Sequence, residues 1–191
     1  MAADTPGPWQ RQAAAMLADK AVEHFDEPIE LASGKMSTLF IDGKYGLSDP
    51  VDLDIACRAI IEMAESAGCH FDHVGGPTLG ADHLAVGVAL IGSKRWFIVR
   101  KERKGRGSAR LIEGARIGTG DSVLLVEDIC STGGSLLKAL GHVRKTGATV
   151  THAATLVDRG TAAHPAFAEA GVELLAITTW RELGIEPITA Q

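Results

Sequence analysis

A chain of 191 residues, 46% of them hydrophobic, is long enough for a real core and fits one ordinary domain. A net charge of −5 gives no support to nucleic-acid binding as the main role, and the three cysteines (Cys57, Cys69 and Cys130) have no metal-ligand spacing. Their odd number suits a reducing compartment. No run approaches bilayer length and no signal-peptide pattern opens the chain, so a cytoplasmic location is expected.

Taken in order, residues 8–25 are spaced for a helix, with Ala13, Met16, Leu17, Ala21 and Phe25 on one buried face. Residues 29–31 and 39–41 read as short strands joined by 32–38, most simply a turn. Residues 49–67 return to a helical pattern, with Pro50 at the start and Gly68 past the end. A strand at 73–76 then runs through a glycine-containing loop to Asp82, which suits the cap of a helix reaching about Leu90. Further strands are expected at 96–99, 123–126, 150–157 and 172–178, with a helix at 136–145 and a weak one at 162–170. Strands alternating with helices indicate a parallel α/β sheet, in which ligands bind beyond the carboxyl ends of the strands. That rule gathers the loops 76–82 and 127–135 and the pair Asp158-Arg159 around one crevice.

The most informative stretch is Val123-Leu-Leu-Val-Glu-Asp-Ile-Cys-Ser-Thr-Gly-Gly-Ser135. An apolar strand, two acids, a turn of small hydroxyl and glycine residues and a helix start form an anion site. Unpaired N–H groups converge there with the positive helix end behind them. The carboxylates of Glu127 and Asp128 do not bind phosphate directly; they can face sugar hydroxyls or the waters of a hard cation. No Gly-Lys-Ser/Thr closes the turn, which excludes the ATP-binding loop, and no Gly-x-Gly-x-x-Gly follows the strand, which excludes the dinucleotide fingerprint. Cys130 reads as a small buried filler. The histidines are scattered without metal spacing.

Nine of the nineteen Lys and Arg lie between Lys94 and Arg116 in an otherwise acidic protein. The segment 100–110 has no apolar face to bury, and it reads as a basic lid that closes over a polyanion beside the acid pair.

The stretch 123–135 resembles the signature of type I phosphoribosyltransferases. Three more motifs narrow the resemblance to orotate phosphoribosyltransferases: Leu31-Ala-Ser-Gly-Lys-Met-Ser37 with Phe40 and Asp42, Gly75-Gly-Pro-Thr-Leu-Gly-Ala-Asp82, and Leu156-Val-Asp-Arg159, together with the basic loop and Ile112-Glu-Gly114. The resemblance implies an α/β fold, a parallel sheet flanked by helices with a small N-terminal hood. Residues 1–48 would form the helix and base-site hood and 49–191 the core, within one structural domain. It implies transfer of phosphoribosyl from phosphoribosyl pyrophosphate (PRPP) to orotate, with Lys104, Arg106, Glu127 and Asp128 at the reacting centre. Arg100, Lys101, Lys104 and Arg106 would meet the pyrophosphate, helped by Thr78, Leu79 and Gly80. Ile129, Cys130, Ser131, Thr132, Gly133, Gly134 and Ser135 would wrap the 5-phosphate beside Glu127 and Asp128. Phe40, Ser131 and Arg159 would hold orotate. Magnesium would be carried mainly by PRPP, near Glu127 and Asp128, and a homodimer would let loop 100–114 reach the neighbouring site.

Three positions depart from the family pattern. Arg106-Gly107 stands where His-Gly is common, Ala32 where many members have a lysine, and Ile41 where a second aromatic is frequent. They motivate two other readings, a phosphoribosyltransferase for another pyrimidine-like base and a non-catalytic nucleotide-binding regulator.

Overall fold

The computed structural model describes residues 5–30, 34, 36–102 and 110–189. Its elements run α1 (Pro8–Lys20), β1 (Val22–Glu30), β2 (Met36–Ile41), α2 (Gly43–Gly46), α3 (Pro50–Ser66), β3 (His73–Pro77) and α4 (Asp82–Gly92). They continue with β4 (Arg95–Val99), β5 (Ile112–Gly114), β6 (Ser122–Cys130), α5 (Gly134–Arg144), β7 (Thr149–Asp158), α6 (Ala163–Glu169) and β8 (Glu173–Thr179). Among the described residues, six strands form the main sheet in the order β5-β4-β3-β6-β7-β8, parallel except for β5, and β1 and β2 pair as a separate antiparallel hairpin.

The unbroken apolar run of β6 follows from helices covering both faces of the sheet. Leu124 and Val126 pack with α1, α3 and α4, whereas Val123 and Leu125 pack with α5 and α6, where Phe167 is fully buried. Small residues make the strands fit closely. A Cβ on Gly75 or Gly76 would strike the backbone of Phe97 or Val126, so β3 carries glycine where it crosses its neighbours.

Three expectations need correction. The first helix stops at Lys20 rather than Phe25: Val22 pairs with Ile41, the Asp42 N–H donates to the Ala21 carbonyl, and Phe25 is 37% exposed. A strand partner remote in sequence wins over a locally helical spacing, and Pro28 is tolerated because β1 is irregular and has one neighbour. Second, β6 extends to Cys130, because Glu127, Ile129 and Cys130 continue the ladder with β7; the acids belong to the strand rather than to the turn after it. Third, residues 112–114 are not part of a loop reaching outward. They pair with β4 as the sheet's antiparallel edge, and the Arg100 N–H donates to the Leu111 carbonyl at 2.8 Å.

Candidate active site

β6 delivers its acids to the carboxyl edge of the sheet and the chain turns at once into α5. Gly133 makes this turn at φ 80°, with Phe167 Cε2 only 3.0 Å from where a Cβ would stand. Glycine is required here by conformation and by space. Among the described residues, no side chain caps α5. The first-turn N–H groups are therefore left to the cleft, backed by the positive end of a helix three turns long.

Glu127 and Asp128 are 7% and 8% exposed. The Ile129 N–H donates to Asp128 Oδ1 at 2.8 Å, and Lys44 Nζ donates to Asp128 Oδ2 at 3.2 Å. Burial, and then the neighbouring Asp128 charge, push the Glu127 carboxyl up to about 8, against smaller opposing pulls from the Asp128 backbone N–H and from Lys101. The β3–α4 loop closes on this pair. A Cβ on Gly80 would run into Asp128 and come within 2.6 Å of Glu127 Oε1, so the loop backbone lies directly against both carboxylates. Thr78 Oγ1 donates to Asp82 Oδ2 at 2.8 Å. Asp82 thus fastens the loop and does not cap α4, whose N-cap residue is Ala81, without a side-chain hydrogen bond.

At the other end of the cleft, Arg159 follows β7 and is 5% exposed. Its Nη2 donates to the Leu39 carbonyl at 2.7 Å, and its Nε is buried with no hydrogen-bond partner among the described residues. A buried guanidinium donor without a partner is costly unless an anion meets it. Its backbone is held on both sides, by the Cys130 carbonyl and by the Ile188 N–H, each at 2.8 Å. Phe40, Ile41 and Ile188 supply the apolar surface beside it, in a cleft of about 360 Å³ that the phosphate turn and the acid pair also line.

Most of the expected residues meet here: Phe40, Arg159 and the whole run from Glu127 to Ser135 line one cleft. Thr78, Leu79 and Gly80 border it through the acid pair, with Leu79 72% exposed. Lys101 is close enough to act on Glu127. Arg100 Nη1 lies 3.6 Å from Glu113 Oε1 on the neighbouring edge strand. Lys104 and Arg106, and Ala32 of the hood, lie outside the described residues. Cys130 is 2% exposed and its thiol is pushed up to about 12, chiefly by burial, which suits a filler. Two lining residues had no sequence signal of their own, Lys44 on the short α2 and Ile188 near the end of the chain. Asp42 could have hinted at the first, since its carboxylate accepts from the N–H groups of Lys44 and Tyr45 and so starts a turn there.

Comparison with known proteins agrees with this geometry. Residues 52–170 match the model of the phosphoribosyl transferase domain. The orotate phosphoribosyltransferase of Pyrococcus furiosus is 41% identical over 153 residues, covering 80% of this chain and 84% of that protein. Its counterpart from Methanothermobacter thermautotrophicus is 40% identical over 77% of this chain and 79% of its own. Among solved structures, orotate phosphoribosyltransferase from Aeropyrum pernix superposes with a TM-score of 0.78 at 32% identity, covering 89% of this chain and 94% of that one. The Mycobacterium tuberculosis H37Rv enzyme in complex with PRPP gives a TM-score of 0.75 at 29% identity over 93% of this chain and all of that one. The chain belongs to the orotate phosphoribosyltransferase family.

Proposed function

We propose that this protein joins orotate to the ribose of PRPP, giving orotidine 5′-monophosphate and pyrophosphate. One observation carries the reading: a helix start and a buried arginine Nε, neither with a side-chain partner among the described residues, converge with a buried acid pair in a single cleft. Each matches one part of the two substrates. The N–H groups of 131–135 take the 5-phosphate, Glu127 and Asp128 take the ribose hydroxyls, and Arg159 takes the orotate carboxylate, with Phe40 against the ring.

The reaction is a displacement at the anomeric carbon, in which a ring nitrogen attacks as pyrophosphate departs and positive charge gathers on the ribose. Nothing in it requires a covalent enzyme intermediate. The chain holds the two substrates in line, and the buried carboxylate of Asp128 faces the sugar on which charge develops. Lys101, with Lys104 and Arg106 of the basic segment, meets the leaving pyrophosphate. Among the described residues, no group of three or more His, Cys, Asp or Glu gathers as a metal cage. The Asp128 carboxylate, with Glu127 beside it, would fit a hard cation such as magnesium, which PRPP itself would mainly carry. Magnesium so bound would offset the charge of the leaving group. The same reading includes a homodimer whose basic segment completes the partner's site, and a cytoplasmic location. No helix among the described residues is long and apolar enough to cross a membrane.

The test is direct. Protein mixed with orotate, PRPP and magnesium is expected to consume orotate, followed by its ultraviolet absorbance, and to release pyrophosphate in equal amount. A folded protein that consumes uracil or another base lacking the carboxylate, and spares orotate, would overturn the assignment of the acceptor.

A further inference from the structure

Lys44 stands between the two halves of the cleft. It sits on α2, a single turn directly after the β2 strand that carries Leu39 and Phe40. The Asp42 carboxylate fixes the start of that turn, accepting from the Lys44 and Tyr45 N–H groups at 3.0 Å each. The turn lies flush on β6, since a Cβ on Gly43 would be 3.1 Å from Asp128 Cβ, and Gly46 packs as tightly on Ala21. With its backbone pinned this way, the Lys44 ammonium reaches Asp128 Oδ2 at 3.2 Å and Asp42 Oδ1 at 3.7 Å. Burial alone would discourage its charge; Asp128 and Asp42 more than reverse that.

Asp128 is the member of the acid pair that Lys44 reaches. It is nearly buried, borders Glu127, and is pressed by the Gly80 backbone. Its Oδ1 takes the Ile129 N–H, so Lys44 is what orients and balances Oδ2. A buried carboxylate left without such a partner turns toward water or takes a proton, and in either case stops accepting a hydroxyl.

We propose that Lys44 is a positioning residue for PRPP: it holds Asp128 as an oriented carboxylate toward the ribose and thereby latches the hood to the sugar-binding end. This rests on the reading of the cleft as a PRPP and orotate site. Lys44 acts through Asp128, so its loss falls on the sugar substrate and spares the base, which Arg159 and Phe40 hold at the other end.

The experiment compares wild type, Lys44→Met, Lys44→Gln and Lys44→Arg by steady-state kinetics with each substrate varied, alongside calorimetry of PRPP with magnesium. Wild-type turnover decides the underlying reading by itself: no turnover and no PRPP binding would remove that reading whatever the variants do. Given an active wild type, Lys44→Met is expected to raise the KM for PRPP at least tenfold and to change the KM for orotate less than threefold. Lys44→Arg is expected to restore the PRPP value to within about threefold. Lys44 is half-exposed on its side chain, so the variants are expected to melt near wild type; should Met disturb folding, Gln removes the charge and keeps a polar end. An unchanged PRPP KM in the uncharged variants, a rise confined to orotate, or failure of arginine to rescue would each overturn the proposal.

Discussion

The two ends of the cleft are built in opposite ways. The phosphate end is one continuous stretch, with β6, the turn at 131–133 and the start of α5 following each other within thirteen residues of sequence. The base end is assembled from three remote pieces: Phe40 on the hairpin, Arg159 after β7 and Ile188 near the end of the chain. A continuous site depends on local backbone conformation and tolerates no change of it. An assembled site depends on tertiary contacts, and its individual side chains can be altered without disturbing the phosphate turn. Mutations at the two ends should therefore separate the kinetics of the two substrates.

The largest separation is expected from Arg159→Leu. It removes a charged, buried donor from the base end and leaves 131–135 untouched. A hydrogen bond to a charged group is worth about 1.5–3 kcal/mol, which corresponds to a KM for orotate raised by roughly 10- to 150-fold. The KM for PRPP should move less than threefold. A comparable rise for both substrates would mean that the two ends are not independent.

Gly133→Ala attacks the other end through backbone conformation and packing, without removing any side chain that would touch a substrate. A non-glycine residue at φ 80° costs about 1–2 kcal/mol, and here the new Cβ would also crowd Phe167 at 3.0 Å. The KM for PRPP should rise about tenfold, that for orotate little, and the melting temperature should fall by several degrees. Equal effects on both substrates would again break the comparison.

That contrast also explains how much could be read from the residues. The parallel α/β sheet and the phosphate turn were legible because each leaves a local trace: apolar runs spaced by helical patterns, and an acid pair followed by small residues and glycines. The family motif around Arg159 pointed to the base end, but Lys44 and Ile188 carry no such trace. What places them is the packing of Gly43 on Asp128 and the bond from the Ile188 N–H to the Arg159 carbonyl. The end of α1 leaves no local trace for the same reason, because β2 decides the conformation of residues 22–25. Asp82 looked like a cap, and only its contact with Thr78 shows it fastening the loop instead.

Within the phosphate end, the acid pair can be tested by pH. Glu127 has its carboxyl raised from 4.5 to about 8 in the folded protein, so between these values the folded state binds the proton more strongly than the unfolded chain does. The stability this contributes is full below about 4.5 and is lost as pH rises through about 8. Glu127→Gln mimics the protonated form and removes the titration. Melting curves should therefore show wild type losing several degrees relative to Glu127→Gln between pH 5.5 and pH 8.5. A constant difference across that range would mean that Glu127 is already ionised throughout.

The smallest effect is expected behind the base end. His164 Nε2 lies 3.3 Å from Asp158 Oδ2, and Asp158 also accepts from the Gly160 N–H, so this pair braces the turn that carries Arg159. The hydrogen bond to Asp158 raises the His164 pKa, more than burial lowers it. A raised histidine contributes stability fully below its unfolded pKa near 6.5 and loses it as pH climbs through the folded value. The His164 side chain is 52% exposed, so solvent screens the pair and its worth stays well under about 1 kcal/mol. His164→Ala should thus melt about one or two degrees below wild type at pH 5.5 and level with it at pH 8.5, with orotate affinity following the same slight trend. A melting gap that grows with pH would place the proton on the wrong state, and the brace on Arg159 would then have to come from the backbone bonds to Cys130 and Ile188 alone.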